Sequence, residues 1–315
     1  VFNFALYLVT VLIWGTTWIA IKLQLGDIAV EASILYRFSL AALVMVLALT
    51  LLRRWQPLQL RDHLFCVLQG GCLFCFNFYC FYTATGYISS GLASVIFSLA
   101  TIANAVNGWW IYGNRPGIRV VAGSLVGVAG VIAMFWPEIT ADQLDAQVVQ
   151  GAGLAALGTL LFSFGNMVSI RQRRQRIAVE VANGWSMLYG VLMLLLIGGL
   201  QGVEYRFDSS TAYVASLLYL AIPGTVIAFT TYLMLVARIG PDKAAYSTVM
   251  FPAIALSVST VYEGFIWHQA AILGFVLVLC GNLLIFARMP KAVIAVIRQW
   301  LHGRRFARGL IRRGS

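Results

Sequence analysis

Apolar stretches of about twenty residues follow one another along nearly the whole chain, parted by short polar loops. One arrangement occurs twice. The run 92–112 leads through Asn114-Arg115-Pro116-Gly117 into a second run, 118–136, which carries the spacing Gly123-x6-Gly130. Near the other end, 244–262 leads past Glu263 and Gly264 into 270–287, which carries Gly274-x6-Gly281. A recurring apolar hairpin of this length marks a duplicated membrane unit. Ten spans are predicted, at 2–23, 32–52, 63–82, 92–112, 118–136, 152–170, 181–200, 211–236, 244–262 and 270–287. As a helix rising about 1.5 Å per residue, each can cross a hydrocarbon core of about 30 Å.

Composition agrees with a polytopic helical membrane protein. Of 315 residues, 61% are hydrophobic and 10% charged, where a soluble domain has about 25% charged. The net charge of +11 would suggest nucleic acid if the charges clustered on one folded surface, but they sort by loop. Arg53, Arg54 and Arg61 follow span two; Arg115 and Arg119 follow span four; Arg171, Arg173, Arg174 and Arg176 follow span six. Arg238 and Lys243 follow span eight, and eight more basic residues follow span ten. Lys22, Arg37 and Arg206 are the three exceptions among 22. The alternate loops hold Asp27, Glu31, Glu138, Asp142, Asp145, Glu204, Asp208 and Glu263, eight of the eleven acids. The positive-inside rule then places both termini in the cytoplasm and removes the case for a nucleic-acid partner. Ten spans divide into five and five, and an odd half turns the second copy over. The expectation is an all-α membrane protein of ten transmembrane helices in two inverted repeats, 1–141 and 142–289, with a basic cytoplasmic tail at 290–315.

Several segments carry a family likeness. Span one reads Leu12-Ile13-Trp14-Gly15-Thr16-Thr17-Trp18-Ile19-Ala20-Ile21-Lys22, and span two holds Tyr36-Arg37-Phe38. Span four opens Ser90-Gly91-Leu92-Ala93-Ser94-Val95-Ile96-Phe97-Ser98-Leu99, and Glu263, Gly274 and Gly281 close the pattern. Over about residues 2–288 the chain resembles the EamA family of the drug/metabolite transporter superfamily, of the aromatic amino acid exporter type. It departs from the family at Asn114, where Glu is common, and at Ala100, where Pro is common; Glu263 and Pro252 keep those residues in the second half. The resemblance implies ten helices in two inverted repeats around a central cavity. That cavity would be lined chiefly by spans one, three, four, six, eight and nine, in a bacterial inner-membrane exporter of metabolites such as amino acids.

The side chains on those spans suit a small polar or aromatic solute. Trp14 and Trp18 are four apart on one helix face, and Lys22 continues the stripe. Span three adds Asn77, Tyr79 and Tyr82; span four carries Ser94, Ser98, Thr101 and Asn104 on one narrow face. Ser163 and Asn166 lie on span six, and Tyr246, Ser247 and Met250 on span nine. The candidate substrate contacts are Trp14, Trp18, Asn77, Tyr79, Tyr82, Ser94, Ser98, Asn166 and Tyr246. Buried amides are costly in lipid unless they meet a partner or a wet cavity, and stacked rings with a few polar anchors fit an amino acid. Two plainer readings stand beside this one. Trp14 can be a packing contact next to Gly15, and the Ser/Thr face of span four can be helix–helix glue. Arg37, near the outer end of span two, is expected to snorkel and is not read as a ligand.

Other chemistry finds little support. Cys66, Cys72, Cys75, Cys80 and Cys280 all fall within spans and read as small packing residues; His63, His268 and His302 are scattered. No phosphate-binding loop, catalytic triad, cofactor motif or metal set is present, so neither an enzyme nor a cofactor is expected. Every acid lies in a loop or at a span end, which disfavours proton coupling through a mid-membrane carboxylate and leaves a facilitative uniporter. Pro223-Gly224 and Pro252 allow bends for alternating access. The partners expected are a small-molecule substrate and the bilayer, in a monomer or weak dimer, with the tail 291–315 lying on the inner leaflet or solvated. The first span lacks a cleavage site and is read as a span, not a signal peptide. Competing readings are an exporter of drugs, cations or nucleotide-derived metabolites, with proton coupling through His268 or Glu263 at the outer rim left open, and a non-transporting membrane receptor or scaffold.

Overall fold

A backbone crossing lipid must satisfy its own polar groups, so apolar runs of this length become helices. The computed structural model describes residues 2–137, 145–228, 231–232 and 247–286, and among these the regular structure is helical throughout. In order they are α1 (Phe2–Lys22), α2 (Val30–Leu51), α3 (Leu60–Gly70), a π-helical turn π1 (Gly71–Cys75), α4 (Phe76–Tyr87), α5 (Ser90–Ser98) and α6 (Ala100–Tyr112). Then follow α7 (Ile118–Met134), α8 (Ala146–Arg174), α9 (Val179–Leu200), α10 (Thr211–Ala221), a second π turn π2 (Ile222–Ile227), α11 (Ser247–Tyr262) and α12 (Gln269–Phe286). The helices up to Ile285 belong to one compact unit.

Six helical stretches have the length and apolarity to cross a membrane: Phe2–Lys22, Val30–Leu51, Leu60–Tyr87, Ser90–Tyr112, Ala146–Arg174 and Val179–Leu200. Ile118–Met134, Thr211–Ile227, Met250–Tyr262 and Gln269–Ile285 are shorter apolar helices. Leu43, Leu47 and Leu51 on α2, and Leu192, Leu196 and Leu200 on α9, stand exposed at turn spacing. Such apolar stripes are the lipid-facing side of a multi-pass protein.

Two apolar cores hold the helices together. One gathers Trp18, Phe81, Ala93, Ile96, Phe251, Leu256 and Val278. The other gathers Ile21, Ile34, Phe38, Phe74, Tyr82, Met187, Leu194 and Leu220. Both include residues of α1 and α4, which therefore face both cores. Small residues set the closest approaches. A Cβ on Gly15 would fall 2.7 Å from Ile254 Cβ, and one on Gly91 would fall 2.9 Å from Ser259 Cβ, which draws α1 and α5 onto α11. The glycine pairs of α7 and α12 face each other: Gly123 abuts the Gly281 carbonyl, and Gly130 abuts that of Gly274.

Three of the long runs are broken near their middles. The α3–α4 run contains π1, and the α10 run passes into π2 at Pro223, whose missing N–H the wider turn accommodates. The third break separates α5 from α6 at Leu99 (φ −69°, ψ −2°), where no proline stands. Ser89 and Ser210 cap α5 and α10 by accepting from Leu92 N and Tyr213 N.

Candidate functional site

The α1 stripe reaches three different elements. Trp14 meets π2, where wide bonding leaves carbonyls to satisfy: Thr225 Oγ1 donates to Leu220 O at 2.8 Å, and the Trp14 indole donates to Gly224 O at 3.3 Å. The Trp14 ring also lies 5.2 Å from that of Tyr232. Lys22 Nζ donates to Thr85 O at 2.5 Å on α4. Trp18 points into the first core, its ring edge-on to Phe81 at 5.3 Å and tilted to Phe97 at 5.7 Å.

Phe97 is the centre of an aromatic cluster. Besides Trp18 it meets Phe81 at 5.3 Å, Phe162 at 4.8 Å and Phe251 at 5.7 Å. Five rings thus converge from α1, α4, α5, α8 and α11, and Phe97 itself stands two residues before the break at Leu99. Edge-to-face rings of this kind offer both positive edges and negative faces to a solute.

Amides run beside the cluster. Asn166 Nδ2 donates to Asn104 Oδ1 at 3.2 Å and Asn107 Nδ2 to Ser163 Oγ at 2.8 Å, tying α6 to α8. Asn282 Nδ2 donates to Ser98 Oγ at 3.4 Å. Asn77 stands one turn from Phe81, 1% exposed, and its Oδ1 accepts no hydrogen bond. Unsatisfied buried oxygens are rare because each forfeits the solvation it had in water. The Ser94 and Ser98 hydroxyls donate back to Gly91 O and Val95 O on their own helix, at 2.6 and 2.7 Å.

The structure therefore packs Trp18 against Phe97, with Ser98 next to it in the chain, sets Asn77 and Asn166 one helical turn from the cluster residues Phe81 and Phe162, and seats Trp14 against π2. Tyr82 is fully buried in the second core, its hydroxyl donating to Gln24 Oε1 at 2.6 Å. Tyr79 is exposed and reaches Glu31. Tyr246 lies outside the described residues. Arg37 does not snorkel; it is 3% exposed within the bundle. Phe81, Phe97, Phe162 and Phe251 were not singled out in the sequence. Phe97 follows Ser94 by three positions, so helical spacing applied to rings as well as hydroxyls would have found it.

The EamA-like transporter family pattern matches residues 3–136 and again 149–287. The chain belongs to the EamA-like transporter family. It is 24% identical over 278 residues to an uncharacterised transporter, YoaV, of Bacillus subtilis (strain 168), covering 86% of this chain and 91% of the relative. It is 24% identical over 285 residues to a probable amino-acid metabolite efflux pump of Salmonella typhimurium (strain LT2), covering 88% and 92%. A solved crystal structure superposes with a TM-score of 0.63 at 18% identity, over 90% of this chain and 96% of that one, a likeness of fold. The protein is a multi-pass membrane transporter.

In this EamA-like transporter the motif residue Glu263 caps a helix. Its carboxylate accepts from Ser90 N at 3.1 Å and from Ser90 Oγ at 2.5 Å, at the start of α5 where the backbone N–H groups are unsatisfied. The basic loops carry their own counter-ions: Arg171 pairs with Asp62 at 2.6 Å and Arg54 with Glu180 at 3.9 Å.

Proposed function

We propose that this EamA-like protein exports amino acids, aromatic or other small neutral ones, and related metabolites across a bacterial inner membrane. It works by alternating access as a facilitative uniporter, with both termini cytoplasmic. The observation that carries this reading is the Phe97 cluster: rings from five helices meet two residues before a mid-helix break, and the unsatisfied Asn77 carbonyl stands one turn of α4 from one of them, Phe81. A solute with an ammonium group and an apolar side chain matches both parts, the carbonyl accepting from the ammonium and the rings stacking on the side chain. Interrupted helices are how membrane carriers expose backbone groups to a solute at mid-depth. The likeness to the Salmonella relative, a probable amino-acid metabolite efflux pump, favours the same substrate class.

The architecture in this reading is ten spans in two inverted repeats, 1–141 and 142–289, around a cavity at the Phe97 cluster. Two observations support it. The family pattern matches twice in succession. The glycine pairs also face each other crosswise, Gly123 on Gly281 and Gly130 on Gly274, as a two-fold relation between equivalent helices requires. The aromatic cluster favours one other solute, an organic cation held by ring faces.

Proteoliposome uptake of a radiolabelled amino-acid panel, with and without a pH gradient, tests the proposal. Saturable flux of phenylalanine or another neutral amino acid, indifferent to the gradient, is expected. Flux that needs the gradient overturns the uniporter, and flux of organic cations without amino acids overturns the substrate class.

A further inference from the structure

Arg37 carries a charge that the protein leaves unanswered. It sits seven residues into α2, 3% exposed, with its guanidinium carbon 4.4 Å from the ring centre of Phe78 and 5.3 Å from that of Phe38. Among the described residues no ion pair includes it, and its Nε and Nη1 have no hydrogen-bond partner. The acids nearest in sequence are engaged elsewhere or face water. Glu31 lies about 9 Å back along α2 and about 240° around it, and reaches Tyr79. Asp208 accepts from Ser210 N and Oγ at 2.7 and 2.8 Å, and Asp27 is exposed. A guanidinium cannot shed its proton, so burial does not neutralise it as it can a lysine or a carboxylate. Two stacked rings offset part of the desolvation cost and fill none of the donor positions.

Its polar neighbours answer it only in part. The Tyr82 hydroxyl accepts from the Arg37 guanidinium and donates to Gln24 Oε1 at 2.6 Å, leaving Nε and Nη1 without a partner. Gln24 is 1% exposed, and its Nε2 is also without a partner. Three unsatisfied N–H-bearing nitrogens from two side chains thus flank one tyrosine hydroxyl. Whichever way the Gln24 amide is turned, Arg37 supplies donors only, so the missing partner is an acceptor, and one that bears negative charge also answers the guanidinium's own. A carboxylate matches the guanidinium fork in shape and charge. The place lies near the end of the bundle. Gln24 lies just past the end of α1, two residues before the exposed Gly26 and Asp27 of the α1–α2 connection. Lys22 and Arg37 are two of the three basic residues that break the charge sorting of the loops, and the third, Arg206, is paired with Glu204 at 2.5 Å.

We infer that Arg37, Gln24 and Tyr82 form a carboxylate-binding site beneath the α1–α2 connection. The solute it takes is an organic acid or amino acid with an apolar side chain, since Phe38 and Phe78 wall the site. In naming an exported amino acid as the natural occupant, the inference rests on the proposed function; the site itself is read without it. The α4 helix links the two places, because Phe81 faces the Phe97 cluster and Tyr82 stands about 100° round the same turn. An amino acid leaving the aromatic cluster then meets Arg37 on the α1–α2 side.

The test is kept separate from transport. The purified full chain in detergent is titrated with sodium 3-phenylpropionate, with phenethylamine hydrochloride and sodium chloride at equal ionic strength as controls, and the unfolding temperature is read. The carboxylate is expected to stabilise saturably, and neither control to do so. Arg37→Gln weakens the carboxylate response roughly 10- to 100-fold, as loss of a charge-assisted pair does, and Arg37→Lys restores part of it. Gln24→Leu keeps the arginine and weakens the response less, so it serves if Arg37→Gln does not fold. A wild-type protein indifferent to the carboxylate, or equal stabilisation by chloride, overturns the site. So does an undiminished response in Arg37→Gln. A carboxylate response with no amino-acid flux in proteoliposomes keeps the site and sinks only the exporter reading.

Discussion

The Trp14 indole answers a carbonyl that π2 has freed, which gives this residue a structural task whatever solute passes it. Trp14→Phe keeps a ring beside Tyr232 and removes the donor. The expected result is a loss of about 1 kcal/mol, the usual net worth of one such bond, seen as a lower unfolding temperature in detergent; an unchanged temperature would mean the Gly224 carbonyl finds another donor. Phe97 makes the opposite demand. It is only half-buried although four rings surround it. Phe97→Leu changes shape with little change in apolar character, so its stability cost is expected to stay within about 1.5 kcal/mol. Flux should respond more: the preference for phenylalanine over leucine is expected to fall severalfold in proteoliposomes. If stability drops sharply with the preference intact, Phe97 is core and not part of a path.

At the scale of elements, glycine is decisive where backbones touch. A methyl on Gly130 would press on the Gly274 carbonyl, whereas one on Gly153 of α8 meets nothing within 4 Å. Gly130→Ala is therefore expected to destabilise by roughly 1–3 kcal/mol through overpacking. Gly153→Ala should be neutral or stabilising by up to about 1 kcal/mol, through helix propensity. Thermal unfolding of the two variants side by side checks the contrast, and equal effects would deny the close contact of α7 and α12. The spacing of these glycines was plain in the sequence; that the two pairs face each other was not, because pattern reports periodicity and not partners. The helix breaks divide in the same way. Pro223 announced π2, but the α5–α6 break falls at Leu99 with Ala100 in the place of proline, and π1 has only Gly70 before it and Gly71 at its start. Buried side chains were least legible. Arg37 looked like a residue that could reach the interface, and only the packing of Phe38 and Phe78 over it shows that it does not.

For the whole molecule, the charge rule predicts the orientation, and in the facilitative reading the solute gradient sets the direction of net flux. The sorting of basic and acidic loops survives in three dimensions as local pairs. Asp62 and Glu180 answer arginines on the basic side, and Glu204 with Arg206 forms an exposed pair in a loop that the rule assigns to the outside. Exposed pairs of this kind hold little energy, so replacing one member leaves the fold intact and makes a clean reporter. Glu204→Cys is expected to react with a membrane-impermeant maleimide in intact bacterial cells, and Arg173→Cys, exposed at the end of α8, only after permeabilisation. Background is low, since four native cysteines are buried and Cys280 lies within an apolar helix. The α1–α2 connection lies on the same face as Glu204 by the alternation of spans, so this labelling also decides where the Arg37 site opens. Labelling of Glu204→Cys from outside makes it the last contact of an exported carboxylate. The reverse pattern would turn the molecule over and make Arg37 the first group a cytoplasmic solute meets.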